Sequence, residues 1–332
     1  MWQRNPGRLC RAQAVWAVPG GAVSLARRRG RHDSPGSWCH RLTRLTSKAM
    51  HSSFLAMTHS HGDRVEYLDI AGGALAYDTA GPDDGALILC VAGMGDTRGA
   101  FRFLAPLLVE AGYRVVRMDQ RGHGRSSSPW PGYGSPATGE DMLALIRHLG
   151  GPGAIVGHSN AAAAGIWAAA QAPELVSGLV LVGPFLQEST VSPVLALAAK
   201  IVTSSPLLWS RFYYPSLYKA AKPADLDAYL RAMRACLREA GRMEALRGVA
   251  TEQERCRARI PELRCPVRIV VGTNDPDFPE PIVAAKHGEA LIGRFTEVSL
   301  ELVEGAGHYP HVELPEATAS AILPFLADVV NA

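Results

Sequence analysis

Apolar residues along the chain follow two rhythms from Val65 onward. Val65-Glu66-Tyr67-Leu68-Asp69-Ile70 alternates with period two, and Ala74-Leu75-Ala76-Tyr77-Asp78 does so less cleanly. The Gly72-Gly73 pair between them predicts a hairpin turn. Gly81-Pro82-Asp83-Asp84-Gly85 predicts a second turn. Ala86–Val91 is apolar throughout, as a strand buried on both faces should be, and Tyr113–Met118 predicts another. Ala154–Val156, Leu179–Val182, Val267–Val271 and Thr296–Val303 predict four more strands. Between them lie predicted helices at about Arg98–Ala111, 138–149 and Ala161–Ala172, one after Pro279, and a last one at Pro315–Val330. Pro315 suits a first helical position. Strand and helix alternating in this way predict right-handed βαβ units: an α/β fold with a mostly parallel sheet and helices on both faces.

Two stretches break the rhythm. Residues 185–262 read as helical, punctuated by Pro193, Pro206, Pro215 and Pro223, with aromatics at Trp209, Phe212, Tyr213, Tyr214 and Tyr218. This predicts a helical cap, or lid, over the carboxyl edge of the sheet, with its aromatics packing the lid on itself. Residues 1–60 are rich in Arg, Ser, His and Gly and differ from all that follows. They read as a disordered or non-native extension, with translation beginning at Met50 or Met57. An organelle transit peptide, Arg-rich and acid-poor, is the alternative. The division is then 1–60 extension, 61–184 core, 185–262 cap and 263–332 core again.

Charge bears on partners once it is resolved along the chain. The net +3 of the 332 residues is misleading, because residues 1–62 hold ten Lys/Arg and one acid, Asp33. Of the 34 basic and 31 acidic residues in all, the remainder keeps 24 against 30 and is mildly acidic. Nothing argues for nucleic acid. Residues 191–209 come closest to a membrane span, but Lys200, Pro193 and Pro206 interrupt them. Cys10, Cys39, Cys90, Cys236, Cys256 and Cys265 form no CxxC pair and read as scattered thiols of a cytoplasmic protein. No Gly-Lys-Ser/Thr or dinucleotide glycine spacing follows Gly93 and Gly95, so the expected cofactor and metal are none.

The candidate chemistry sits between the strand Ala154–Val156 and the Ala-rich helix. Gly157-His158-Ser159-Asn160-Ala161 places small residues two positions either side of a serine, with Ala161 where Gly is usual. A serine on a sharp strand-to-helix turn has a strained backbone that tolerates only small neighbours. The turn exposes its hydroxyl and aims the first N–H groups of the helix at the same point. Asp275 and His308 lie at two later predicted strand ends, giving the order nucleophile, acid, base. In open parallel sheets ligands bind outside the carboxyl ends of the strands.

From about Val65 to its end the chain resembles the α/β-hydrolase superfamily. The resemblance rests on Ala92-Gly93-Met94-Gly95, Asp119-Gln120-Arg121-Gly122-His123-Gly124-Arg125-Ser126, Gly157-His158-Ser159-Asn160-Ala161, Gly272–Asp275 with Pro279, and Gly305-Ala306-Gly307-His308. It implies Ser159 as nucleophile, His308 as its base and Asp275 as the acid orienting the imidazole. Asp275 stands three residues after Gly272 and four before Pro279, as the family requires. The rival Asp277 meets neither condition and reads as a cap or turn former. The resemblance also implies an oxyanion hole from the backbone N–H groups of Met94 and Asn160, each contributing about 3–4 kcal/mol to transition-state stabilisation. The loop opens Ala92-Gly93 where His-Gly is commoner, so whatever that His anchors is absent. The Asn160 side chain is an expected polar contact in the pocket. His158 reads as packing and His311 as a poorer base; the Asp119–Ser126 turn reads as scaffold whose Arg and His tie loops together.

The function expected is a serine hydrolase cleaving an ester or related acyl bond of a small, apolar substrate. Alternatives on the same triad are a cofactor-free perhydrolase/haloperoxidase, a C–C bond hydrolase, and a small-molecule receptor with slow hydrolysis.

Overall fold

The computed structural model describes residues 64–187 and 192–330. The extension at 1–60, with Cys10 and Cys39, lies outside the described residues. Eight strands form one sheet in the order β1-β2-β4-β3-β5-β6-β7-β8. They are β1 Glu66–Ile70, β2 Gly73–Ala80, β3 Leu87–Val91, β4 Arg114–Met118, β5 Gly153–His158, β6 Val176–Val182, β7 Val267–Gly272 and β8 Val298–Val303. The hairpin β1–β2 and the pair β2–β4 are antiparallel; every other pairing is parallel.

The apolar strands are buried on both faces, as their composition demands. Leu87, Leu89 and Val91 of β3 enter one core layer while Ile88 and Cys90 enter the other. The same alternation divides Ile155 from Ala154 and Val156, and Leu179 and Leu181 from Val180 and Val182. Helices α2 Ser135–His148 and α3 Asn160–Gln171 cover the first layer. Between β3 and β4 runs α1 Leu104–Glu110, and α1 and the C-terminal α10 Pro315–Val330 cover the second layer. The alanines of α3 permit close approach: a Cβ on Gly139 of α2 would fall 2.7 Å from the Ala164 carbonyl.

The sequence predicts one helix over Arg98–Ala111; the structure divides it into a 3₁₀ turn, Arg98–Phe101, and α1. Thr97 caps the turn through Gly99 N. The Arg98 guanidinium is held by Asp78 and Asp119, and Arg98 N donates to Asp119 Oδ1 at 2.7 Å. These long-range partners outcompete continuous helix geometry.

Between β6 and β7 lie α4 Pro193–Val202, short helical turns over Pro206–Ser216 that include one π turn at Trp209–Tyr213, α5 Leu226–Leu237, α6 Arg242–Val249 and α7 Gln253–Arg257. Trp209, Tyr214, Leu217, Tyr218, Leu230 and Met233 form a third apolar cluster together with Tyr309 and Val312. Packing was the expectation for these aromatics, and it holds for Trp209, Tyr214 and Tyr218, whereas Phe212 is 63% exposed. Polar contacts pin the segment to the sheet. Asp96 takes hydroxyl hydrogen bonds from Tyr214, at 2.7 Å, and from Tyr229. Glu313 of α9 Pro310–Glu313 accepts from the backbone of Lys219, Ala220 and Gly307 at 2.6, 2.7 and 2.9 Å. After β7 the chain continues through α8 Pro281–Ile292. Among the described residues no helix is long and apolar enough to cross a membrane, and Cys90, Cys236, Cys256 and Cys265 are free thiols.

Candidate active site

Ser159 stands between β5 and α3 with φ 56° and ψ −121°. A positive φ is costly for a side-chain-bearing residue, and such strain persists only where the surroundings impose it. Here Ser159 N donates to Val182 O of the neighbouring strand at 2.8 Å, and Ala162 N bonds back to Ser159 O at 3.0 Å. The turn leaves no room at position 157, where a Cβ would lie 2.6 Å from the Ala161 carbonyl oxygen. The loop after β3 passes directly over the serine. A Cβ on Gly93 would be 2.9 Å from Ser159 Cβ and 3.4 Å from its hydroxyl oxygen, which explains the glycine.

Asp275 and His308 follow the ends of β7 and β8, two and three places from β5 in the sheet order. His308 Nδ1 is 2.7 Å from Asp275 Oδ2, and both side chains are buried. Gly183, after β6, makes space for this pair: a Cβ there would sit 3.1 Å from His308 Cε1. No hydrogen bond joins the Ser159 hydroxyl to His308 among the described residues; such contacts commonly tighten only when substrate binds. Burial opposes a charge on His308, but the Asp275 and Asp277 carboxylates outweigh it and push the imidazole up to about 9.

The other histidines take the parts read for them. His158 Nε2 donates to the His308 carbonyl at 2.9 Å, and its ring lies 4.8 Å from that of His308. His311 stacks on Phe101 and is fully buried, which lowers it to about 3.

Asp277 sits in the turn that Phe278 N closes on Asp275 O at 3.3 Å, as the turn reading expects, and it caps no helix. Its carboxylate does more than that reading supplies: both oxygens accept from the Tyr213 hydroxyl at 3.0 Å, and Oδ2 lies 3.7 Å from His308 Nε2. The donor atoms of Asp275, Asp277 and His308 fall within 4.8 Å of one another, a spacing that a cation accepts. They are already engaged with each other and with Tyr213, so the cluster closes on its own hydrogen bonds.

Met94 and Asn160 line one open groove with Ser159. Neither backbone N–H has a hydrogen-bond partner among the described residues, and for Asn160 that is the normal state of a first helical residue. The segments carrying these donors are tied by a residue that sequence reasoning passed over. Gln120 Nε2 donates to Ala92 O at 2.5 Å, while Gln120 Oε1 accepts from Asn160 Nδ2 at 3.3 Å. Asn160 Nδ2 also donates to Val249 O at 3.1 Å, so the nitrogen of this amide is engaged by the framework. Gly95 N donates to His123 Nε2 at 3.0 Å, which replaces an anchor within the loop by one from the Asp119–Ser126 turn. Arg121 of that turn holds Asp141, as a scaffold role predicts.

The groove at Ser159 has a volume of about 470 Å³. Met94 and Phe185 give it an apolar floor, and Gln187, Gln253, Glu254 and Arg257 give it a polar rim.

Comparison with known proteins agrees with this architecture. A 2-(acetamidomethylene)succinate hydrolase of Mesorhizobium japonicum is 27% identical over 267 residues, spanning 73% of this chain and 88% of that protein. Monoglyceride lipase of Mus musculus is 26% identical, over 71% of this chain and 80% of its own length. A shorter match, 34% identical over 110 residues, spans 41% of a Variovorax paradoxus protein. Among solved structures, the bromoperoxidase from Bacillus anthracis superposes with a TM-score of 0.68 at 18% identity, covering 80% of this chain and 99% of that one, and shares the fold. The model of the alpha/beta hydrolase family matches residues 88–321. With the sheet order, the serine turn and that match in agreement, the chain belongs to the alpha/beta hydrolase family and is a hydrolase by membership.

Proposed function

We propose that the protein is a serine hydrolase that cleaves an ester or related acyl bond of a small molecule through an acyl-enzyme. The observation carrying this reading is the 2.7 Å bond between Asp275 and His308 beside the strained turn that presents Ser159. Ser159 Oγ attacks the carbonyl carbon while His308 Nε2 takes its proton. The oxyanion receives the N–H groups of Met94 and Asn160. His308 then gives the proton to the leaving group, and the acyl-enzyme forms. Water, deprotonated by the same nitrogen, releases the acid. Asp275 orients the ring and stabilises its charged form.

The segment between β6 and β7 acts as the cap. Met94 and Phe185 face the acyl carbon chain. The rim of Gln187, Gln253, Glu254 and Arg257 suits a substrate with a polar or charged end rather than a wholly apolar one. The substrates these relatives are named for, an acetamido-substituted succinate and a monoglyceride, both combine an acyl bond with polar groups. The free thiols fit a reducing, cytoplasmic setting.

The test is labelling by a fluorophosphonate probe together with turnover of p-nitrophenyl esters. Wild-type protein should label at Ser159 and turn over; folded Ser159→Ala should do neither. Retained turnover in that variant overturns the reading.

A further inference from the structure

The imidazole of His308 is held between two carboxylates, one on each nitrogen. Asp275 Oδ2 bonds Nδ1 at 2.7 Å, and Asp277 Oδ2 lies 3.7 Å from Nε2. Nε2 is the nitrogen that must exchange a proton with Ser159 and the leaving group. Asp277 is fixed at both ends. Its N–H donates to Asp275 Oδ1 at 3.0 Å, and its carboxylate receives the Tyr213 hydroxyl. Tyr213 belongs to the π turn between β6 and β7, 64 residues away in sequence. We propose that Asp277 is a positioning residue of the hydrolytic reaction, which steadies the proton-bearing form of His308 from the Nε2 side and is itself carried by Tyr213 from the helical segment. The inference rests on the triad reading above and extends it: base strength is set jointly by the β7 loop and the segment that covers it.

Other charged and titratable groups face His308 from each neighbouring element. Asp275 comes from the same loop. Glu313 of α9 also favours the charged ring, but its oxygens already accept from the backbone of Gly307, Lys219 and Ala220. His158, at the end of β5, presents its ring at 4.8 Å and bonds the His308 carbonyl. Tyr309 stands edge-on at 5.7 Å, and His311 lies beyond His158. Asp277 is the carboxylate at Nε2 whose side-chain oxygens are held by one phenol, so it is the group that a shift of the helical segment would move. The upward displacement of His308, to about 9, agrees with two carboxylates at one ring. A base held in this state is neutral only at alkaline pH, and loosening the Asp277 contact would bring it into use nearer neutrality.

The experiment compares full-length wild type, Asp277→Asn and Asp277→Glu. It follows kcat/KM for p-nitrophenyl acetate and the rate of fluorophosphonate labelling of Ser159 from about pH 5 to about pH 10. Asp277→Asn should move the acid limb of both profiles down by about one pH unit or more. Asp277→Glu, which keeps the charge, should hold it near wild type. A structural role alone would lower rates at every pH and leave the limb in place, and that result overturns the proposal. The titration of His308 in ¹⁵N-histidine-labelled wild type and Asp277→Asn gives a second measurement that needs no turnover. A midpoint lower in Asp277→Asn than in wild type supports the proposal, and an unchanged midpoint overturns it, since Asp275 alone also raises the ring. If wild-type Ser159 labels at no pH, the hydrolase reading fails and this one falls with it. If Ser159 labels while the limb stays fixed in Asp277→Asn, only the Asp277 assignment is lost.

Discussion

Gln120 and Asn160 share a hydrogen bond from Asn160 Nδ2 to Gln120 Oε1, and the same Gln120 amide holds Ala92 O. One side chain thereby ties the loop that carries Met94 to the turn that carries Asn160. Gln120 Oε1 also accepts from Thr138 Oγ1 at 3.2 Å, so Gln120→Leu removes three bonds and strands the buried Ala92 carbonyl and Thr138 hydroxyl, while Asn160 Nδ2 keeps Val249 O. We expect kcat to fall about 10- to 100-fold with little change in KM, because the loss falls on the transition state. Steady-state kinetics with a p-nitrophenyl ester checks this. A KM effect alone would place Gln120 in substrate binding instead.

Asp275→Asn should leave the fold intact and lower kcat by about 10³–10⁴-fold, as loss of the orienting carboxylate does in such triads. The amide no longer fixes the tautomer that leaves Nε2 free to accept. Circular dichroism and single-turnover acylation together separate this from unfolding.

Three histidines buried without charge lower stability in acid. Burial lowers His123 to about 4 and His311 to about 3, and it lowers His158 as well. Each of these binds a proton more readily when unfolded, near 6.5, than when folded. Stability therefore falls as pH drops from about 6.5 towards 4, by up to about 1.4 kcal/mol per pH unit for each histidine. His308 has the opposite sign. Its folded value is raised to about 9, so its contribution is complete below about 6.5 and is lost as pH rises through 9. Thermal melts from pH 4 to 10 should peak near pH 6.5–7, and His308→Gln should flatten the alkaline side of that curve.

Two ion pairs of similar geometry should differ widely in weight. Asp119 is fully buried and serves Arg98 through both side chain and backbone, and Arg125 through its N–H at 2.9 Å. Asp119→Ala leaves Arg98 short of a partner and two N–H groups unbonded, a loss of about 3–5 kcal/mol. The Arg255–Glu252 pair is exposed, so Glu252→Gln should change stability by about 0–1 kcal/mol. Denaturant unfolding of both variants gives the comparison directly.

Much of the framework was legible because it is written in local pattern. Runs such as Ala86–Val91 and Val267–Val271 have no other stable place than the middle of a parallel sheet, and there they lie. The hairpin at Gly72-Gly73 and the start of the last helix at Pro315 follow from turn and cap chemistry. Ser159, Asp275 and His308 were visible through their small-residue surroundings, which exist to make room for one another. Gln120 and Asp277 were not. Their side-chain partners lie 18 to 64 positions away, and neither carries a local signal of periodicity or spacing. Reading Asp277 as a turn former was reasonable for an aspartate beside a proline, and only Tyr213 and His308 reveal its other role. The break of the predicted helix after Phe101 has the same origin, because Arg98 answers to Asp78 and Asp119 rather than to its own neighbours.

Asp96 gives the segment between β6 and β7 a fastened edge. Tyr214, Tyr229 and Thr97 N occupy its carboxylate, and burial makes that carboxylate costly to leave bare. Lifting this side would strand a desolvated acid beside two phenols, so it behaves as the pin of a door. The groove that reaches Ser159 is lined instead by Gln187 and Arg257, which take no part in that fastening.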